Sequence, residues 1–440
     1  AISMGIGTIL QSKKILLMAW GEGKAQIIKA TVEGAISDLV PATCLQKHSN
    51  VKIILDNASS DELTRIKTPW LVQTCAWNTP LIRQAVVWLS EHLNKPILKL
   101  TDKDYNENGM SGLISEYDHA YEINILVFNI LQHTITGWPG GKPKADDSQR
   151  PERAKPFPKR VVIFSPHPDD DVISMGGTLI RLVDQKHEVH VAYQTSGNIA
   201  VFDDDVVRFA DFMNDHNHMF DLNKAESEKV FKQTLSYLKN KKSGQIDVAE
   251  ILKIKGLIRK GEAKAACRYC GIHTDRIHFM DMPFYETGLI KKNPIGEKDI
   301  KLIMDLLNKV KPHQVFAAGD LSDPHGTHRM CLHAIFQALK RLKKESWMKD
   351  CYIWLYRGAW QEWKVSEIDM AVPLSPEELL RKRKAVFKHQ SQKDQALFPG
   401  SDSREFWQRA EERNRNTAAT YDKLGLAEYE AMEAFVRYIP

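Results

Sequence analysis

The segment Ser165-Pro-His-Pro-Asp-Asp-Asp171 sets one imidazole and a run of carboxylates side by side. Adjacent carboxylates repel one another, and a bound cation is the usual remedy. His167 and Asp170 are the first candidates as metal ligands, which leaves Asp169 free to handle a proton. A second group, Gly319-Asp-Leu-Ser-Asp-Pro-His-Gly-Thr-His328, places His325 and His328 at the expected start of a helix, spaced so that both can face one point. A His–Asp pair from one segment and a His from the other make three N/O ligands. That donor set suits Zn²⁺ with a fourth position kept for water. Water held there loses its proton near neutral pH; a nearby carboxylate can take it, and a spare imidazole can protonate a leaving amine. Each group alone has a plain structural explanation, an Asx-turn capping a helix for the first and a surface pair for the second. Two such groups at two strand ends of one α/β unit make a site the better reading.

Those residues need strands behind them. Val161–Phe164 is a buried-strand run ending at the first group, and the helix after it carries Val172, Met175, Leu179 and Leu182 on one face. Val315–Ala318 leads into the second group, followed by a helix with Leu332, Ile335, Phe336 and Leu339. With Val189–Tyr193, Ile277–Met280 and Tyr352–Tyr356, this alternation predicts an α/β fold over 160–440, a Rossmann-like doubly wound, mostly parallel sheet. Ligands of such sheets bind at the carboxyl ends of the strands. Residues 198–256 read as a polar, helix-rich insertion, expected to form a lid or wall over the metal. The stretch Ser375 to Tyr438 reads as helices closing the domain.

Upstream, the Pro/Gly density of 136–159 marks a linker, and 76–135 reads as a helical extension with Thr79 as cap and Pro80 as the first helical residue. Residues 1–75 are a partial α/β segment: a strand at Ile15–Trp20, a helix from Ala25 to Leu39 stopped by Pro41, and a strand at Val51–Leu55. Two such strands with one crossover helix are part of a parallel sheet, which needs cover on both faces.

His167-Pro-Asp-Asp-Asp171 followed by Gly176-Gly177, with Asp323-Pro-His-Gly-Thr-His328 downstream, resembles the PIG-L/LmbE family of zinc-dependent N-deacetylases. Arg259-x-x-Glu262 before Ala265-Ala266 and Gly271, Lys388-His-Gln-Ser-Gln392 and Glu433-Ala-Phe435 match as well, so the likeness covers about 159–440. It implies removal of an acetyl group from an N-acetylglucosamine-type amino sugar or conjugate, with one Zn²⁺ per chain. By position, His167, Asp170 and His328 would bind the metal and Asp169 would be the general base. His325 would stabilise the oxyanion or act as acid, and Arg259 and Asp171 would lie at the substrate. The family commonly has Glu where Asp171 stands and often Asp where Thr327 stands.

Gly5-Ile-Gly-Thr8, Gly21-Glu-Gly-Lys-Ala25, Val32-Glu-Gly34 and Cys44-Leu-Gln-Lys-His48 resemble the C-terminal half of glucosamine-6-phosphate deaminase, in order. Lys24 matches its phosphate-contacting lysine; Gly23-Lys24-Ala25 is not a nucleotide phosphate loop, which needs an earlier Gly and a Ser/Thr after the Lys. That family's acid/base groups lie in its other half, so deamination by the chain as given is not expected. The expectation is the C-terminal portion of a deaminase–deacetylase fusion, with a homo-oligomer formed through the deaminase-like part. The alternatives are a non-catalytic amino-sugar or sugar-phosphate binding or regulatory protein with both modules degenerate, and a zinc amidase acting on a non-sugar substrate.

Composition narrows the rest. Hydrophobic residues at 43% and charged residues at 27% exclude wholesale disorder, and a net charge of +5 over 440 residues is too dilute to argue for nucleic acid or a membrane surface. Apolar runs such as Ile125-Leu-Val-Phe128 fall short of a membrane span. Irregularly spaced cysteines read as reduced thiols of a cytoplasmic protein, and Cys267-Arg-Tyr-Cys270 as a buried structural pair. Trp354 is expected in the core, while Trp360 and Trp363 could stack on a sugar ring.

Overall fold

The computed structural model describes residues 4–144, 148, 150, 155–242, 244–287, 292–322, 326–358, 360–393, 402 and 404–440. The chain divides into two compact units, residues 1–131 with 423–426, and residues 132–422 with 427–440. Among the described residues no helix is long and apolar enough to cross a membrane.

In the first unit, β1 (Ile15–Ala19) pairs in parallel with β2 (Val51–Leu55), Ile15 opposite Val51 and Ala19 opposite Leu55. The crossover helix α1 spans Ala25–Glu33 and stops at Gly34, shorter than the expected reach to Leu39, which is exposed. Helix α2 (Thr79–Leu93) is capped by Asn78, whose side chain accepts from Leu81 N; the cap is thus one residue earlier than Thr79. Trp70 packs against Trp88 at 5.5 Å between ring centroids, and Gln84 Nε2 donates to Lys67 O at 2.7 Å. These contacts join residues 1–75 with 76–131 in the first unit, so the expected boundary at 75 divides no separate bodies. Helix α3 covers Ala120–Thr134.

The second unit is built on a seven-stranded sheet: β3 (Arg160–Ser165), β4 (Glu188–Tyr193), β5 (Ile277–Phe279), β6 (Gln314–Ala318), β7 (Tyr352–Tyr356), β8 (Met370–Leu374) and β9 (Ala431–Tyr438), in the order β5-β4-β3-β6-β7-β9-β8. The first five strands are parallel, and β9 runs antiparallel to both β7 and β8. The chain leaves β3 toward β4 and β5, then returns to place β6 on β3's other side, so the switch point lies between β3 and β6. Both faces are covered. Val161 and Ile163 of β3 pack with Val172 and Leu179 of helix α4 (Asp170–Asp184). Val162 and Phe164 face the other layer, between β4 and β6, which holds helices α8 (Glu297–Val310) and α9 (Thr327–Leu342).

Helices α5 (Asp203–Met219), α6 (Lys224–Asn240) and α7 (Ala249–Tyr269) fill the connection from β4 to β5. The boundary expected at 256 therefore falls inside α7, a single helix that runs on into the core. Two further expectations are corrected. The stretch after Ser375 holds helices α10 (Pro376–Val386) and α11 (Phe406–Lys423) but ends in β9, a strand buried between two others. The described part of 136–159 is not a free linker: Thr136 N donates to Ala371 O at 2.8 Å, and Gln314 Nε2 to Pro139 O at 2.9 Å. Backbone groups held by the second unit's sheet make this stretch part of that unit.

Candidate metal centre and acid/base group

The loop between β3 and α4 is folded by its own side chains. Ser165 Oγ donates to His167 O at 2.6 Å and accepts from Asp171 N at 3.1 Å, while His167 N donates to Asp170 Oδ2 at 2.8 Å. The helix behind the loop is broken at Met175 (φ −132°, ψ 27°), which frees N–H groups of the next turn. Glu433 of β9 accepts both, from Gly177 N at 3.0 Å and Thr178 N at 2.6 Å, and Lys382 Nζ of α10 neutralises it at 2.8 Å. Gly176 and Gly177 are small for a reason: a Cβ on Gly177 would lie 2.6 Å from Leu374 Cδ2, and one on Gly176 3.1 Å from Lys382 Cγ. The first turn of α4 is thereby set at its own angle, pointing Asp170 toward β6.

From the end of β6 the start of α9 brings His328, buried, with Nε2 3.2 Å from Asp170 Oδ2. His167 Nδ1 lies 3.1 Å from the same oxygen, and the two imidazole rings are 5.2 Å apart. One ligand atom from each of His167, Asp170 and His328 falls within 4.8 Å of the others, the one such group among the described residues. His328 Nδ1–H donates to Asp320 O at 2.8 Å, which aims Nε2 at the cluster. Burial alone would raise the Asp170 carboxyl, but the charges and hydrogen bonds of His328 and His167 hold it well below the usual carboxylate range. An ionised carboxylate with two imidazole nitrogens is a donor set that fits a borderline cation such as Zn²⁺.

Asp169 sits beside the cluster and does not join it. Its Oδ1 is 3.1 Å from Arg259 Nη2, which also donates to Pro168 O at 3.0 Å. Burial raises its proton affinity, with Arg259 opposing and Asp170 adding to the rise. A carboxylate so placed is a better base than an exposed one. Arg259 comes from α7, three residues beyond the expected insertion 198–256, so it is the continuation of that helix that forms a wall of the site. Arg259 Nε and Nη1 are buried with no hydrogen-bond partner among the described residues, as are both ring nitrogens of His389. Burial, then Arg259, pushes the His389 imidazole down to about 3, so it is neutral. Glu262, one turn beyond Arg259, accepts from Ser391 N and Oγ, both at 2.7 Å, which joins the Arg259–Glu262 and Lys388–Gln392 segments singled out in the sequence.

Asp171 is corrected as a substrate contact. It is fully buried, and its oxygens accept from Ser165 Oγ at 3.3 Å and Tyr193 OH at 3.0 Å, so it braces the loop from beneath. Burial pushes its carboxyl up to about 7 despite the Tyr193 bond. His325 lies outside the described residues. Lys24 is exposed in the first unit, in the turn after β1 that Asp56 fixes by accepting from Gly21 N at 3.1 Å. Asp320 was not singled out as a site residue: its carbonyl orients His328, and its Oδ2 accepts from Trp360 N at 2.6 Å and Gln361 N at 2.9 Å. The only signal for it was an acid directly after Gly319 at a strand end. Cys267 and Cys270 are buried and, like the other cysteines, free, and Trp354 is in the core.

Residues 162–339, which span both ends of this cluster, match the PIG-L family, described as GlcNAc-PI de-N-acetylase. The whole chain aligns at 61% identity with a glucosamine-6-phosphate deaminase-like protein of Bacteroides thetaiotaomicron, covering 100% of this chain and 67% of that protein. The chain belongs to this family of deaminase-like proteins with a PIG-L domain. Its N-terminal segment is 55% identical over 65 residues to a glucosamine-6-phosphate deaminase of Lacticaseibacillus paracasei, which is 15% of this chain and 28% of that enzyme. Among solved structures, the N,N'-diacetylchitobiose deacetylase of Pyrococcus horikoshii is similar at 19% identity and a TM-score of 0.40, over 64% of this chain and 84% of that one, a likeness too distant to argue from. The PIG-L match places the domain among hydrolytic de-N-acetylases, which cut a carbon–nitrogen bond.

Proposed function

We propose that the PIG-L domain removes an N-acetyl group from an N-acetylglucosamine-type amino sugar or conjugate, with one Zn²⁺ per chain held by His167, Asp170 and His328. The observation that carries the reading is the convergence of these three side chains on one point with the buried Asp169 carboxylate alongside. When bound, the metal would polarise the acyl oxygen and acidify a coordinated water. Asp169 then accepts the proton of the attacking water and returns it to the amine as the C–N bond breaks. Arg259 holds Asp169 in position, and His328 is held by Asp320 O. His325 is assigned to the developing oxyanion by family likeness.

In the same reading the protein is cytoplasmic, and Lys24 contacts the phosphate of a sugar phosphate in the deaminase-like segment, through which copies of the chain associate. Deacetylation supplies the free amino sugar that a deaminase consumes, which is a reason for the two modules to share a chain. No nucleic-acid or membrane partner is invoked.

The test separates ligand from base. Wild type should carry about one zinc per chain. His328→Ala should lose it, while Asp169→Asn should keep zinc and fold but lose about 10²–10⁴-fold in acetate release. Near-normal acetate release by zinc-loaded Asp169→Asn, or a wild type that neither holds zinc nor gains activity from it, would overturn the reading.

A further inference from the structure

The deacetylation chemistry gives His389 no task, although its ring is only 2% exposed and neither nitrogen has a partner among the described residues. The backbone on both sides of it is tied down. His389 N donates to Val386 O at 3.0 Å, Ser391 N and Oγ donate to Glu262, and Gln392 Nε2 donates to Ala200 O at 2.6 Å. The ring is therefore held in place, and a buried hydrogen-bonding nitrogen is costly unless something reaches it.

His389 and Asp169 line the same small pocket, which has about 20 Å³ of room. Most of its other walls are apolar: Ile173, Val386, Phe387, Phe406 and Trp407. Its remaining polar side chains are engaged elsewhere. Glu405 accepts from Trp407 Nε1 at 2.8 Å, Gln392 is tied to Ala200 O, and Lys393 Nζ lies 5.2 Å from the centre of the Phe387 ring. A buried water needs roughly 10–15 Å³ and at least two polar partners, and this pocket meets both conditions. It is far too small for a sugar ring. Asp169 has a use for a second hold. It stands at the N-cap of α4, where its side chain makes no capping bond, and Arg259 grips one of its oxygens at 3.1 Å.

We propose that one water bridges a ring nitrogen of His389 to the Asp169 carboxylate, and that His389 is thereby a positioning residue for the general base. A neutral imidazole can complete the bridge in either tautomer. Its N–H gives to the water oxygen, or its bare nitrogen takes one O–H, and another O–H of the water goes to the carboxylate. The positioning role rests on the deacetylase reading; the bridge does not.

A double-mutant cycle on zinc-loaded protein tests the role. His389→Leu, close in size but without nitrogens, should lower kcat about 10- to 100-fold, the worth of a hydrogen bond to a charged group, with KM and zinc content within about 2-fold. His389→Gln, which returns an N–H and a C=O at similar reach, should recover most of that loss. In the Asp169→Asn background His389→Leu should cost less than about 3-fold more, because the group it positions is already gone. The same loss in both backgrounds, or a glutamine variant as slow as the leucine one, would overturn the role. A crystal structure of the zinc-loaded wild type that shows its waters reads the bridge without any turnover. A water within hydrogen-bond distance of both His389 and Asp169 supports it, and a dry pocket overturns the proposal whatever the kinetics. If the water is there and no acetamide is cut, the deacetylase reading and the positioning role fall together and the bridge stands.

Discussion

The described residues form two sheets, one of two parallel strands and one mixed, that differ in what covers them. In the first unit, β1 and β2 alternate between covered and open residues, and Leu16, Met18 and Ile54 are each about half exposed. In the second unit β6 is buried along its whole length, and β3 from its second residue onward. The turn after β1, which carries Lys24, is fixed by one carboxylate, that of Asp56. The loop after β3 is fixed by Ser165, Asp171 and Tyr193 beneath it and by the Glu433–Lys382 pair behind it. A cluster that must hold three ligands to one point needs the second kind of support, because strand ends are only as well placed as the packing on both faces.

The largest break in that support should come from the buried ion pair. Lys382 and Glu433 are 2% and 1% exposed, and removing one partner leaves the other charged and buried. Lys382→Met should cost about 3–5 kcal/mol, seen as a lower melting temperature, and should weaken zinc retention because the first turn of α4 loses its anchor. A variant with normal stability and normal zinc would show that the kink at Met175 is held by something else.

This pair also marks where the sequence stops being readable. β3, β4, β6 and β7 were legible as continuous apolar runs, and so was the convergence of His167, Asp170 and His328, since both motifs follow strands of one α/β unit. β9 was not. Its Glu433 looks like a surface residue until Lys382, far away in sequence, supplies the compensating charge. β8 was hidden by Pro373, which a strand tolerates at a sheet edge, and β8 is the edge. Asp171 was placed at the substrate by family position alone, whereas helical geometry turns it away from Asp170 and onto Tyr193. The stop of α1 at Gly34 and the cap at Asn78 turn on local hydrogen bonds that spacing alone does not rank.

The two sheets should also answer the same kind of truncation differently. Ile163 of β3 is fully buried, and Ile163→Ala should cost about 2–5 kcal/mol through lost burial and the cavity left behind. Met18 of β1 is 49% exposed, and Met18→Ala should change stability by about 0.5 kcal/mol or less. Chemical denaturation of both variants gives the contrast directly. A large loss at Met18 would mean that the open face of β1 and β2 is covered in solution.

The smallest effect sharpens the comparison within the second unit, where tight cover forces a titratable group to stay neutral. His389 is buried beside Arg259 with no partner at either ring nitrogen among the described residues, and its pKa falls to about 3. A folded pKa below the ordinary 6.5 means that the unfolded chain takes up a proton first as pH drops. The native state is therefore undiminished above about 6.5 and loses stability as pH falls toward 3, by about 1.4 kcal/mol per pH unit, or about 2 kcal/mol at pH 5. His389→Phe removes that linkage while keeping an apolar ring in the space. The variant will have its own stability at pH 7.5, so the informative quantity is the slope. Between pH 7.5 and 5 its unfolding free energy should fall less steeply than that of wild type by about the same 2 kcal/mol. Parallel slopes would mean that His389 is protonated in the folded protein, paired with a carboxylate of the neighbouring site, and that the cover over this corner is looser than over β3.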